Sequence, residues 1–350
     1  MRKAFVLFVT LAFCVSILGA ADISFSGQSS FGLRVGLPST ENGGDISKAL
    51  LSQGFELDAY GGPSSLYLNG GFNYDALNSS LSLFLSEAYA DFYAGSFSFR
   101  LGRQKATWGS MEISSAVDII SPSDVSDIVS TSKLGIDALK VSYDAFPYAF
   151  DFYWIPFFTP STLPTSLPIS KPEASLKNGE FAVRASAYTS EGDFMLYGYY
   201  GWEDTPSLST FEYERQIMIG ASAAVPVGEV TVKGEVGFYP ERDVILSGAA
   251  GAEWIKEDLT LIAEIYGEWD KENKDFTAQA GGSIGYSLLD GELEFSLSGI
   301  VQLEDLDGAI LASCSYALND EIKLNMELVY VFEETYKNLS CVNSAVTYSF

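Results

Sequence analysis

Residues 259–270, LTLIAEIYGEWD, alternate between apolar and polar side chains along the whole segment. On an extended chain Leu261 and Ile265 share one face. Glu264 and Glu268 share the opposite face, which is therefore wet. This period of two is that of a β-strand with one apolar side, and it determines how the rest of the chain is interpreted.

The same alternation recurs from residue 22 to residue 350, in segments of about ten residues, the length that a tilted strand needs to cross a bilayer. No long segment has a helical period, and a chain that crosses a membrane without helices must close into a barrel. We therefore predict an all-β fold, a transmembrane antiparallel up-and-down β-barrel of about 18 strands, with 16 as the alternative. The predicted strands are 22–36, 50–61, 64–74, 82–94, 96–107, 136–145, 149–157, 180–190, 193–203, 214–226, 229–239, 245–255, 258–270, 276–288, 292–302, 308–318, 321–332 and 340–350.

The connections between these segments favour a membrane barrel over a soluble β-sandwich. Those after even-numbered segments are tight, such as Gly62-Pro63 and Val227-Gly228, whereas all those after odd-numbered segments are longer. An outer-membrane barrel with both termini on the periplasmic side has short turns there and longer loops outside. The boundaries themselves are uncertain by about 2–4 residues.

The first 21 residues predict a cleaved secretory signal. A basic Met1-Arg2-Lys3 precedes an apolar run to Leu18, and small residues end the segment at Ala21. The alternative, a transmembrane anchor, requires a run of roughly 18 to 20 apolar residues, which is longer than this one. We expect residues 1–21 to be the signal and residues 22–350 to be one barrel domain.

The composition excludes several classes of function. Acidic residues number 46 against 20 basic ones, and the net charge of −26 argues against a nucleic-acid partner. The chain has no histidine, so it lacks the usual base of serine and cysteine hydrolases and the commonest neutral metal ligand. We therefore predict no enzymatic activity, no cofactor and no metal site.

The end of the chain reads as a last strand with Val346, Tyr348 and Phe350 on one face. It resembles the terminal strand of bacterial outer-membrane barrels, whose closing aromatic residue is recognised by the barrel-assembly machinery. The resemblance implies outer-membrane lipid and that machinery as partners.

A second resemblance lies in the middle of the chain. Glu87-Ala88-Tyr89-Ala90-Asp91-Phe92 is followed by Leu101-Gly102-Arg103-Gln104-Lys105-Ala106-Thr107-Trp108-Gly109 and by Val117-Asp118-Ile119-Ile120-Ser121-Pro122-Ser123-Asp124. These segments resemble a widespread family of uncharacterised, porin-like bacterial outer-membrane barrels, a domain of unknown function. Ser121 stands where that family usually has Asn, and this chain is shorter. The resemblance covers about forty residues and implies barrel and location, without a substrate.

The predicted hairpin of strands 4 and 5 sets Glu87 and Asp91 opposite Arg100 and Arg103, where a salt-bridged brace on the inner wall is the simplest interpretation. The longest connection, residues 108–135, follows. It either folds into the lumen and narrows it, with Trp108 and Asp118 near its root, or lies outside over the mouth. Ser123 or Asp124 could cap a short helix through Val129.

Acidic side chains outnumber basic ones on the predicted inner wall. We expect a channel for passive diffusion of small polar solutes with a preference for cations. The alternatives are a surface-exposed structural or adhesive barrel with a plugged lumen and an export channel for a polymer or lipid. The candidate lumen and selectivity residues are Glu56, Asp58, Glu87, Asp91, Arg100, Arg103, Gln104, Trp108, Asp118, Asp124, Glu235, Glu264, Glu268, Glu294 and Glu327.

Two cysteines, Cys314 and Cys341, follow the signal segment. The predicted strand 321–332 separates their strands by roughly 9 to 10 Å, beyond the reach of a disulfide. We expect free thiols.

Overall fold

A computed structural model describes residues 22–37, 44–126, 132–163, 169–207, 210–240, 244–270, 274–332 and 337–350. Eighteen long strands form its one large sheet. They are β1 (Asp22–Gly36), β2 (Ile46–Gly61), β3 (Ser64–Asp75), β4 (Ser80–Ala94), β5 (Phe97–Gln104), β6 (Ile136–Ala145), β7 (Tyr148–Ile155), β8 (Glu180–Tyr188), β9 (Asp193–Trp202), β10 (Arg215–Val227), β11 (Val230–Phe238), β12 (Val244–Lys256), β13 (Leu259–Asp270), β14 (Phe276–Leu288), β15 (Leu293–Gln302), β16 (Gly308–Ala317), β17 (Ile322–Val331) and β18 (Cys341–Ser349).

The sheet closes on itself. Each strand pairs antiparallel with the next along the chain, and β1 also pairs with β18, from Gln28 opposite Ser349 to Gly36 opposite Cys341. The prediction of 18 strands, rather than 16, is confirmed. The strand boundaries agree within the expected margin; the largest difference is at β2, which starts four residues earlier, at Ile46, because its pairing with β1 extends that far.

Short turns gather at one end of the barrel, which we call the turn end, and the longer connections lie at the opposite, loop end. The prediction that every odd connection is longer is wrong at residues 76–79. Pairing between β3 and β4 continues to Asp75 opposite Ser80, which leaves four residues, as many as in the turn 189–192. Helical structure among the described residues is limited to short 3₁₀ turns, one of them at Leu176–Asn178. None of the helices described is long and apolar enough to span a membrane.

The two faces of the wall differ as the alternation predicts. Outward-facing side chains are apolar and uncovered, with Leu83 80% and Leu196 64% exposed. Aromatic side chains stand on this outer face near both ends, an arrangement typical of barrels whose rims meet the membrane interface. They include Tyr148, Phe194, Tyr286 and Phe295 towards the turn end and Tyr74, Tyr200, Trp269 and Phe276 towards the loop end.

The carboxy-terminal residue is fixed to the first strand. The backbone N–H of Phe350 donates to the carbonyl of Gly27 at 3.0 Å, and the Gly27 N–H donates back at 2.9 Å. The phenyl ring covers Gly27, where a Cβ would lie 2.4 Å from it. Phe350 thus completes the seam between β1 and β18 and continues the outer aromatic row from Tyr348, 6.1 Å away.

Among the described residues neither cysteine forms a disulfide, and strand β17 lies between their strands, as predicted. Cys314 pairs with Met326 on the outer face, whereas Cys341 pairs with Val329 on the inner face. A disulfide between them is excluded by the barrel wall itself. The predicted signal, residues 1–21, lies outside the described residues.

Candidate functional site

Residues 105–122, which we call the lumen loop, leave β5 and run inside the barrel. The Trp108 side chain is only 1% exposed. Its ring packs against the rings of Tyr197 at 5.1 Å and Tyr153 at 6.2 Å, both on the inner face of the wall. The first part of the long connection therefore lies in the lumen, the first of the two arrangements left open by the sequence.

Glu235, on the inner face of β11, holds this loop through its backbone. Its Oε1 accepts hydrogen bonds from the N–H groups of Ser110 and of Met111, the latter at 3.0 Å. Its Oε2 accepts from the Ser115 hydroxyl at 2.6 Å and from the Ala116 N–H at 2.9 Å. Charged acceptors make the stronger class of hydrogen bond, so one carboxylate holds both ends of the seven-residue arc 110–116.

Glu264, on β13, repeats the arrangement further along the wall. Its carboxylate accepts from the N–H groups of Glu112 at 2.8 Å, Ile113 at 2.9 Å and Ser114 at 3.4 Å. Both Glu235 and Glu264 are 7% exposed. These two predicted selectivity residues face inward, as the alternation requires, but they lie beneath the loop and bind it.

Glycines on the inner wall make room for the loop. Gly220 and Gly237 stand directly opposite each other on β10 and β11. A Cβ at Gly237 would lie 2.4 Å from the Ala116 carbonyl oxygen, and one at Gly220 would lie 2.6 Å from the Val117 side chain. The Ala116 carbonyl also accepts a hydrogen bond from the Tyr239 hydroxyl at 2.8 Å. The sequence analysis did not predict this contact between the loop and the wall, although glycines on the polar face of the strands were the available signal.

Asp118 and Lys133 join the two limbs of the connection at its root. The Lys133 Nζ lies 3.4 Å from the Asp118 carboxylate and donates to the backbone carbonyls of Asp118 and Ser121. The Asp118 carboxylate also accepts from the Trp108 N–H at 2.9 Å. Burial raises the pKa of Asp118, against the opposing effect of the Lys133 ammonium group. Trp108 and Asp118 are thus brought together near the root, as predicted.

At the loop end the connections bind one another. The Ser123 N–H donates to the Ser161 hydroxyl at 3.2 Å, and the Ser161 N–H donates to the Asp204 carbonyl at 2.9 Å. Burial, with the nearby negative charge of Glu180, raises the pKa of Asp204 to about 8. The helix predicted to follow a cap at Ser123 or Asp124 does not begin at Val125 or Ser126, neither of which is helical. Ser123–Asp124 pairs as a two-residue strand with Ser132–Lys133, and the Asp124 carboxylate accepts a hydrogen bond from the Ser126 N–H at 3.1 Å. The rest of that prediction falls on residues outside the described ranges.

The predicted salt-bridged brace between β4 and β5 is present in part. Arg100 donates from Nε and Nη2 to the Asp91 carboxylate at 2.8 and 2.9 Å, and its guanidinium stacks 3.8 Å from the Tyr89 ring centroid. The prediction that Arg103 faces Glu87 is wrong. Arg103 pairs with Ala88 and so falls on the other face of the wall, near Asp137 at 4.0 Å.

The neighbours of Arg103 point inward and serve the loop. Gln104 is 1% exposed and donates to the Ala138 carbonyl at 3.1 Å. Glu87 accepts a hydrogen bond from the Lys105 N–H at 2.9 Å, where the chain leaves β5. Both residues therefore fix the point at which the loop enters the lumen.

The basic side chains of the inner wall are largely neutralised by carboxylates. The ion pairs are Arg100 with Asp91 at 2.8 Å, Lys140 with Asp151 at 3.2 Å, Arg184 with Asp151 at 2.5 Å, Lys233 with Glu253 at 2.8 Å and Lys323 with Glu294 at 3.0 Å. Arg34 donates to the Asn343 amide oxygen at 2.8 Å.

Several inward carboxylates have no such cation. Glu56 and Asp58 face the lumen from β2, and Glu327 faces it from β17, where it accepts from the Asn343 amide at 2.6 Å. Glu268 accepts from the Tyr266 hydroxyl. Within the described part of the chain these four make no ion pair.

A cavity of about 930 Å³ remains between the lumen loop and the wall formed by β14 to β17. Glu112 and Ile113 border it on the loop side, and Val329 and Leu311 on the wall side. The loop therefore occupies one side of the lumen and leaves space beside it.

No protein-family model and no curated protein matches this sequence. The fold is similar to that of solved outer-membrane porins. Pseudomonas aeruginosa OccK5 aligns with a TM-score of 0.60 at 8% identity, over 95% of this chain and 98% of its own. P. aeruginosa OccK2, solved with glucuronate, gives 0.59 at 9%, over 94% and 97%. A mutant porin of Rh. blastica gives 0.50 at 12%, over 94% and 100%. At these identities the likeness concerns the fold, a porin-like barrel.

Proposed function

We propose that this protein is an outer-membrane channel for passive diffusion of small polar solutes, with a preference for cations. The observation that carries the proposal is the loop inside the barrel, fixed to one wall with a cavity of about 930 Å³ beside it. A barrel of this strand number encloses an aqueous lumen, and a loop against one wall narrows that lumen without filling it. The porin-like fold supports the same function.

The preference for cations follows from the balance of the inner wall. The ion pairs cancel most of its basic charge, whereas Glu56, Asp58, Glu268 and Glu327 keep theirs. A pore lined by charge of one sign concentrates ions of the other sign.

Reversal potentials in planar bilayers test this proposal. In a salt gradient of about tenfold, the wild type should give stepwise openings that favour K⁺ over Cl⁻. A Glu56→Gln/Asp58→Asn variant should shift the reversal potential towards zero, because it removes two unpaired lumen charges. Asp290→Asn, in a turn at the turn end, is the matched control and should leave the potential unchanged. Anion selectivity would overturn the preference, and a folded barrel without conductance would favour the plugged, structural or adhesive alternative.

The same proposal includes export and assembly. Residues 1–21 would direct export and be removed, and the seam that Phe350 makes with Gly27 supports its role as the terminal signal for barrel assembly. Mass spectrometry of protein from outer-membrane fractions tests export and the removal of residues 1–21. An amino terminus near Asp22 is the expected result, whereas an intact Met1 or a cytoplasmic location would refute export.

A further inference from the structure

Toward the loop end, the inner wall of β15 to β17 carries apolar side chains, where a porin lumen is ordinarily polar. Ile300, Leu311 and Val329 all face inward by their pairing, as does Val331 at the loop end of β17. Val329 and Val331 are buried and pack with Leu311 and Leu339. This group, Ile300, Leu311, Val329, Val331 and Leu339, is called the apolar wall below.

The cavity beside the lumen loop lies directly on this apolar wall. Its volume of about 930 Å³ is in the range of sites that hold small organic ligands, which are mostly apolar with a few polar groups that fix orientation. On the loop side Ile113 closes it, seated over Gly281, where a Cβ would lie 2.8 Å from the Ile113 side chain. The loop that narrows the lumen thus also completes a pocket.

The charges around the cavity have one sign. Glu112 and Asp307 line it, and no lysine or arginine does so among the described residues. The Glu112 carboxylate lies 3.4 Å from Lys233, but the same ammonium group is closer to Glu253, at 2.8 Å. Gln279 donates to the Ser114 hydroxyl at 2.7 Å, so the amides at the rim are part of the loop's support. A cationic group is therefore the electrostatic complement of this rim.

We propose that the cavity is a binding site for amphipathic organic cations, with the apolar body against the apolar wall and the ammonium group towards Glu112 and Asp307. This assigns a preferred solute class to the channel and so rests on the proposed function. Simple inorganic ions and sugars have no apolar body to place there, and they would pass without being retained.

Block of single-channel current tests the assignment. 3-Phenylpropylammonium should block at least about tenfold more tightly than propylammonium, because only the former buries an aromatic ring. 3-Phenylpropanoate, with the same ring and the opposite charge, should block weakly. Equal block by the two ammonium ions would overturn the proposal.

Matched variants locate the effect. Leu311→Ser should weaken block by 3-phenylpropylammonium by about three- to tenfold, because it makes the apolar wall polar. Ile255→Ser makes the same kind of change on the inner face near the turn end, outside the cavity, and should leave block unchanged. Glu112→Gln should weaken ammonium block, whereas Asp290→Asn, in a turn outside the cavity, should not. Equal effects of the cavity variants and their controls would refute the site.

Calorimetry separates this inference from the proposed function. Titration of 3-phenylpropylammonium into the detergent-refolded barrel reads binding even if the channel does not conduct. Binding that is weakened about three- to tenfold in Leu311→Ser and unchanged in Ile255→Ser supports the site. Conductance without binding heat would refute the site and leave the proposed channel intact. Binding heat without conductance would support the site and refute the proposed channel.

Discussion

Removing the carboxylate of Glu235 should release the lumen loop. That side chain accepts hydrogen bonds from the N–H groups of Ser110, Met111 and Ala116 and from the Ser115 hydroxyl. Each of these four hydrogen bonds contributes about 1 kcal/mol of net stabilisation, because water in the lumen can replace the carboxylate as a partner. Glu235→Ala should therefore weaken loop docking by about 4 kcal/mol. Such a change shifts the docking equilibrium by roughly a thousandfold.

Glu264 still binds three N–H groups of the loop, so we expect partial release in the single variant and full release in Glu235→Ala/Glu264→Ala. Single-channel conductance should rise in that order. Cleavage by an endoprotease specific for glutamate, after Glu112, gives an independent measure of release. Glu268→Ala is the control, because this inward carboxylate bonds to Tyr266 and not to the loop.

The reasoning is refuted if the double variant, still a folded barrel by its heat-modifiable migration, conducts like the wild type and keeps the bond after Glu112 protected. That result would mean that packing of the Trp108 ring holds the loop without the carboxylates.

Three other results are expected. Gly237→Val should displace the loop and raise conductance, since a Cβ there would lie 2.4 Å from the Ala116 carbonyl oxygen; Gly285→Val, whose nearest neighbour would be 3.8 Å away, should leave conductance unchanged. Deletion of Phe350 should lower the yield of folded barrel in outer membranes, and normal yield would contradict its role at the seam. The pKa of Asp204 is raised from 3.8 to about 8 in the packed loop, so the packed loop favours the protonated carboxyl group. The resulting stabilisation of the packed loop is complete below about pH 4 and is lost as the pH rises through 8. Protease sensitivity of residues 203–214 should therefore be greater at pH 9 than at pH 5, and Asp204→Asn should abolish the difference.

The strands could be predicted because the lipid and the aqueous lumen impose opposite polarities on alternate residues. Each segment contains this alternation by itself, so the bounds of β14 and β18 differ by at most one residue from the predicted ones. One error could have been avoided from the same pattern. Arg103 lies three residues after Arg100, an odd spacing that puts the two side chains on opposite faces of a strand. Arg100 therefore pairs with Asp91 on the inner face, whereas Arg103 pairs with Ala88 on the other face.

The roles of the lumen residues could not be predicted from the sequence, because they depend on the path of the lumen loop. Glu235 and Glu56 have the same pattern of alternation, and only the path of the loop makes one an anchor and leaves the other free in the lumen. That path depends on contacts between residues more than a hundred positions apart. The resemblance of the central segment to a family of uncharacterised barrels remains a prediction.

The anchoring of the lumen loop has a consequence for how such a channel can diversify. Glu235 and Glu264 bind mostly main-chain N–H groups, which nearly every amino acid provides. Side chains at positions such as Glu112 can therefore change while the attachment persists. New solute preferences become accessible by single substitutions in a short arc, and the same arc is a natural place to insert designed recognition elements into a sensing pore.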